Sequence, residues 1–311
     1  MVTLTKGDSS KFKSRMHARI AASKEARRRE RAEEQKVDDL RLPKEKKAIV
    51  TDFRRYTMLL YGRPKIGKTT WLSTWEDVLF FATEPGTAGQ EIFEFNANDG
   101  GVRNWHIALK GAELLERSDR FRNVVVDTAD ELFSHCVEHV CKEMGIKGLG
   151  LTPEGESDWG RSYREVRKQF AALLYRIKRT GRGLMLTAHA REREIKAKSG
   201  EKYDIIEPTL SKSAGEIVLP LVDFIFFADY MRDEKGKTVR VVVTHGDDTI
   251  TAGHRAGDFP RYFAPGRLHA ARTFQRAFSG EEKGLDPETL LPARQSAKAT
   301  RKLLLSTGEG D

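Results

Sequence analysis

The sequence predicts an α/β fold, a mostly parallel central sheet flanked by helices, with a basic amino-terminal arm in front of it. Three observations carry this expectation. From Tyr56 onward, short apolar runs alternate with amphipathic stretches, the pattern of parallel strands joined by crossover helices. The runs at 58–61, 78–83, 123–126 and 183–187 are almost continuously apolar, as strands buried on both faces must be. A Gly-Lys-Thr turn separates the first run from the first helical stretch.

Taken in order, residues 58–61 read as a strand, followed by that turn and a helix through Trp75. Residues 78–83 form a second strand ending at Glu84, and 105–109 a weaker third. The run 123–126 is closed by Asp127 and leads into an amphipathic helix through Glu143, then a glycine-rich loop over 145–160. A long helix over 162–179 precedes the buried strand 183–187, which ends at His189. Residues 191–212 are charged and lack a core pattern, so they read as an exposed excursion with Ser199-Gly200-Glu201 at a hairpin tip. Strands at 221–230 and 238–244 follow, separated by the turn signal Asp233-Glu234-Lys235-Gly236. After Phe263 the pattern fades into a helix over 267–278 and a weakly structured tail. The expected organisation is an arm over 1–47, a core over 48–265 and a carboxyl-terminal helix and tail over 266–311.

Composition narrows the class. With 311 residues, 39% hydrophobic, 32% charged and 9% aromatic, the chain can bury a core, which excludes collagen-like, mucin-like and wholly disordered proteins. The longest apolar stretch, 217–228, is broken by Pro220 and Asp223, and the amino terminus lacks the apolar segment of a secretory signal. A cytoplasmic protein is expected, in the bacterial host cytoplasm if the gene is phage-derived. Cys136 and Cys141 are too few and wrongly spaced for zinc or a disulfide framework and read as small apolar residues. The net charge is +9, and residues 1–50 alone carry 15 Lys and Arg against 8 Asp and Glu. Such a basic arm can neutralise phosphates and release counterions, which points to a nucleic-acid partner, although a plain solubility tail has the same composition.

The chemistry is concentrated at Gly62-Arg63-Pro64-Lys65-Ile66-Gly67-Lys68-Thr69-Thr70, a full match to G-x-x-x-x-G-K-[ST] placed between an apolar strand and a helix. The glycines let backbone N–H groups turn inward around phosphates, the helix amino terminus adds partial positive charge, and Lys68 reaches the terminal phosphates of ATP. Thr69 is the expected Mg²⁺ ligand. A second magnesium-directed group is needed at the tip of another buried strand, and Val124-Val125-Val126-Asp127 supplies it in Asp127. Hydrolysis further needs a group that orients or deprotonates water. The residue after Asp127 is Thr128, which cannot do this, and Glu84, at the end of the strand next after the P-loop helix, is the candidate.

With these residues in place the chain resembles the RecA-core ATPases of bacteriophages and prophages, the P-loop family that includes the Sak-type single-strand annealing proteins. The resemblance covers residues 54–230. It rests on Leu59-Leu60-Tyr61-Gly62 with the P-loop, Phe81-Ala82-Thr83-Glu84, Val124-Val125-Val126-Asp127-Thr128, Trp159-Gly160, Thr187-Ala188-His189, and Glu207-Pro208-Thr209-Leu210 running into Leu221-Val222-Asp223. It implies a RecA-like sheet, ATP and Mg²⁺ as cofactors, Glu84 as catalytic glutamate, His189 as γ-phosphate sensor, and oligomerisation. Lys212 occupies a position from which a cation could complete a neighbouring subunit's site. Loops of the form Gly-x-Pro-Lys-x-Gly-Lys also occur in hexameric replicative helicases, so that motor class is the alternative.

The resemblance also implies single-stranded DNA as partner, annealed in recombination by some members, with loops 145–161 and 191–212 as contacts. Trp159 could stack on a base while Arg161, Arg164, Lys196 or Lys198 follows the backbone, or it could pack against the following helix beside Tyr163, Val166 and Phe170. Expected partners are therefore single-stranded DNA, further copies of the chain in a ring or filament, and a single-strand DNA-binding protein, with no membrane. Outside the enzyme class, a nucleotide-gated adaptor with negligible hydrolysis would share the P-loop. A small-molecule kinase would need a basic lid segment over the phosphoryl acceptor, and none is found.

Overall fold

The computed structural model describes residues 41–196, 200, 202–233, 235–285 and 290–292. Expectations for the arm before residue 41, for Lys198, for Ser199 and Glu201 at the hairpin tip, and for the tail beyond 292 lie outside the described residues. The chain divides into two compact units, Met1–Ile49 and Val50–Asp311. Of the first, residues 41–49 are exposed and carry neither helix nor strand.

The second unit is built on β1 (Thr57–Gly62), β2 (Val78–Ala82), β3 (Phe93–Glu94), β4 (Asn123–Asp127), β5 (Gly183–Lys196), β6 (Lys202–Pro208), β7 (Phe224–Arg232), β8 (Thr238–Val243), β9 (Gly253–His254), β10 (Tyr262–Phe263) and β11 (Leu291–Pro292). Its helices are α1 (Lys68–Leu72), α2 (Trp105–Glu116), α3 (Ala129–Met144), α4 (Arg161–Arg179), α5 (Lys212–Leu221) and α6 (Ala270–Phe278). The strand order runs β3-β2-β4-β5-β1-β7-β8-β10. Pairing from β3 through β7 is parallel, and β8 and β10 add antiparallel edges. This is the predicted α/β core with a mostly parallel sheet.

Every residue of β1 and β2 is buried, because helices cover both faces. Period-two alternation sorts the side chains. Leu59, Tyr61, Val124, Val126, Leu184 and Leu186 join one apolar cluster with α2, α3, α4 and α5. Met58, Leu60, Val125, Met185, Phe224 and Phe226 join a second with Phe53, Trp71 of α1 and Phe274 of α6. Asp223 fixes the register of β7 on β1: its carboxylate accepts from Thr57 N at 3.0 Å and its own N–H donates to Thr57 O at 2.7 Å. No helix among the described residues is long and apolar enough to cross a membrane.

Four expectations are corrected. Residues 105–109 open helix α2 and are not a strand: Asn104 caps it by accepting from Ile107 N at 3.1 Å, and Trp105, Ala108, Ala112 and Leu115 fall on one buried stripe. The strand reaching His189 continues to Lys196, because residues 190–196 pair antiparallel with β6. The excursion is a hairpin, as expected, but it is followed by helix α5, which Ser211 caps by accepting from Ala214 N at 3.2 Å and which retains Gly215 and Pro220, so Leu221 closes a helix and the strand read from 221 begins at Phe224. Trp159 does not pack against α4: it is 88% exposed, while Val166 and Phe170 are buried.

Phe226 packs with ring centroids 5.0–6.2 Å from Phe224, Phe259 and Phe274 in the second cluster. Phe226→Ala is expected to lower unfolding free energy by about 3–5 kcal/mol, read by urea denaturation.

Candidate active site

Parallel strands deliver their carboxyl ends to one edge, and the crevice there is where open α/β sheets bind ligands. Gly62 ends β1, Ala82 ends β2 just before Thr83 and Glu84, Asp127 ends β4, and Thr187 and His189 lie where β5 leaves the sheet. β5 runs between β1 and β4, so the P-loop strand and the Asp127 strand are one strand apart. A cleft of about 440 Å³ opens on this edge, lined among others by Lys68, Thr69, Glu84, Asp127 and His189. Five of the six residues proposed from sequence for catalysis or metal binding thus share one cleft.

In the P-loop, Gly67 has φ +110°, a left-handed conformation that L side chains rarely adopt. The turn lets Lys68 fold back, donating to Gly62 O at 3.0 Å and Arg63 O at 3.2 Å. An ammonium has three donors, so one stays available for a phosphate oxygen. Burial holds the Lys68 ammonium below the ordinary lysine range, opposed by the carboxylates of Asp127, Asp130 and Glu84.

Thr69 and Asp127 touch directly, the threonine Oγ1 donating to Asp127 Oδ2 at 2.7 Å. The other carboxylate oxygen, Oδ1, accepts from Thr187 Oγ1 on β5. An adjacent hydroxyl and carboxylate fit Mg²⁺, which takes oxygen ligands and is held through one or two carboxylates together with substrate phosphates. Thr69 and Asp127 are the residues that would hold it, and the ion would supply charge neutralisation on the phosphate oxygens.

Glu84 is held by its surroundings. Thr128 Oγ1 donates to its Oε1 at 2.8 Å, and Oε2 lies 3.4 Å from His189 Nε2. Thr83 clamps the same corner, with Thr128 N donating to its Oγ1 at 2.7 Å. A carboxylate with one oxygen anchored and the other facing the cleft can accept a proton from water, and the imidazole beside it can donate to an anionic oxygen. Lys212, the fourth residue expected from sequence to be catalytic, sits elsewhere: it opens α5 and lines a separate cavity of about 580 Å³ with Arg191, Arg193 and Glu207.

Sequence reasoning missed three contributors. Thr187 was seen only as part of a strand end, although a hydroxyl in a fully buried strand signals a polar partner. Asp130 accepts from Thr209 Oγ1 at 2.6 Å, and Thr209 N donates to His189 O at 2.9 Å, tying the base of the hairpin to the site. Gln90 bridges Ser73 and Thr70 across α1; no motif marks it.

The family model described as an AAA domain matches residues 54–256. The chain belongs to this AAA-domain family. No curated protein matches it. Among solved structures, a KaiC-like protein of the hyperthermophilic archaeon Pyrococcus horikoshii OT3 is similar at 14% identity over 70% of this chain and 88% of that chain, with a TM-score of 0.36. The AAA-domain assignment and the P-loop cleft make this protein a nucleotide-binding P-loop ATPase.

In this AAA-domain protein, Glu84→Gln is expected to keep ATP affinity within about threefold while lowering turnover by about 10²–10⁴-fold, the range for a lost general base. Nucleotide titration beside steady-state hydrolysis checks it; unchanged turnover would remove Glu84 from the chemistry and favour another water-orienting group.

Proposed function

We propose that the protein is an ATP-dependent DNA-transaction ATPase of the phage RecA-core, Sak-like type, acting on single-stranded DNA in recombination or annealing. One observation carries the reading: the strand that presents His189 to the cleft continues without a break into the β5–β6 hairpin. A change at the phosphate end of the site and a contact made by the hairpin therefore bear on one rigid element. The hairpin offers Arg191, Arg193, Lys196 and Lys202, of which Arg191 and Arg193 also bond Glu207 and Lys202 bonds Glu194. Trp159, exposed at the start of α4 beside Arg161 and Arg164, supplies a stacking face.

In this reading the subunits assemble in a ring or filament, Lys212 reaches the neighbouring subunit's nucleotide, and a single-strand DNA-binding protein is a further partner. The hexameric-helicase alternative uses the same cleft and would separate strands directionally. Steady-state ATP hydrolysis at low salt, with and without single-stranded DNA, tests the proposal, with Lys68→Ala as blank. DNA is expected to raise turnover severalfold, the stimulation to fall with added salt, and Lys212→Ala to lower turnover at nearly unchanged nucleotide affinity. Hydrolysis indifferent to DNA would contradict the DNA reading and favour a nucleotide-gated adaptor.

A further inference from the structure

The P-loop has a second flank that the motifs do not describe. On one side of β1 lie β5, β4 and β2, which bring Thr187, Asp127 and Glu84 to the edge. On the other lie β7 and β8, and β8 carries Arg240, paired in register with Tyr230. Its guanidinium reaches back over the P-loop: a Cβ placed on Gly67 would stand 3.0 Å from Arg240 Nη1. Arg240 is exposed, and its side chain has no hydrogen-bond or ion-pair partner among the described residues. Of the three cations in the loop itself, Arg63 faces Asp229 at 3.9 Å and Lys68 bonds the carbonyls of Gly62 and Arg63, while Lys65 is exposed at the cleft.

A free planar guanidinium beside the last glycine of a phosphate loop has a simple chemical use. Backbone N–H groups of such loops cradle the α- and β-phosphates, and guanidinium is the side chain whose paired donors match two phosphate oxygens. We infer that Arg240 is a nucleotide-binding residue acting in its own subunit, gripping the α/β-phosphate part of the nucleotide from the flank opposite Asp127 and Glu84. This deepens the ATPase reading and rests on it. Because Arg240 approaches from the side away from the water-activating carboxylate, it binds ADP and ATP alike and adds no stabilisation special to the transition state. The same approach explains a local constraint: any side chain at Gly67 would meet both a left-handed backbone and this guanidinium.

The test is calorimetric titration of ADP and of ATP with Mg²⁺ into wild type, Arg240→Ala, Arg240→Lys and Lys68→Ala, with turnover measured at saturating ATP. The expected result is about tenfold weaker binding of both nucleotides by Arg240→Ala, a smaller loss in Arg240→Lys, and saturated turnover within about twofold of wild type. Circular dichroism would show the variants folded, which is expected since Arg240 is exposed on β8. Wild-type binding matched by Arg240→Ala would overturn the contact while leaving the ATPase reading intact. Unchanged affinity with lost turnover would also overturn it, assigning the residue to the reacting phosphate or to a neighbour's site. No nucleotide binding by wild type would overturn the ATPase reading and the contact with it.

Discussion

The Asp127 carboxylate is the joint on which the cleft depends. One oxygen takes the Thr69 hydroxyl from the P-loop and the other takes the Thr187 hydroxyl from β5. Three separate stretches of chain thereby meet at one acidic group at the sheet edge. A half-buried carboxylate needs such donors, since burying a charge without partners is costly. The parallel sheet makes the meeting possible: β1, β5 and β4 are consecutive neighbours, so their carboxyl ends lie side by side. Phe224, Phe226 and the aliphatic residues of β1 and β5 set the strand positions that the hydroxyls require.

Around that joint, the corner formed by Thr83, Thr128 and Glu84 divides the work. Threonines satisfy the backbone and one carboxylate oxygen, which leaves the other oxygen beside His189. The acidic residues near Lys68 offset the burial that weakens its charged form. Thr209 then links the site outward by bonding both Asp130 and the His189 carbonyl, so the hairpin base and His189 share a fixed point.

Much of this was legible in the sequence, for reasons that differ by residue. The apolar runs of β1, β2, β4 and the first part of β5 declared themselves because double-sided burial leaves continuous apolar stretches. The P-loop was legible because phosphate binding demands glycines and a lysine at fixed spacing. Glu84 and Asp127 stood out because each ends such a run. Helix α2 was misread because Trp105 and Ile107 resemble strand residues over five positions, and the cap at Asn104 outweighs that local preference. Helix α5 was hidden by Gly215 and Pro220, which packing in its apolar cluster overrides. The approach of Arg240 to Gly67 was invisible because it arises from sheet order, which no local pattern encodes.

The most direct measurement is the Mg²⁺ dependence of ATP hydrolysis for wild type and Asp127→Asn, at fixed saturating nucleotide. If Asp127 joins the P-loop to the metal, the asparagine variant should need at least about tenfold more Mg²⁺ for half-maximal rate and turn over more slowly, while still binding nucleotide. A variant with the wild-type Mg²⁺ requirement and rate would contradict the account, because the group at the centre of the cleft would then have no part in holding the ion.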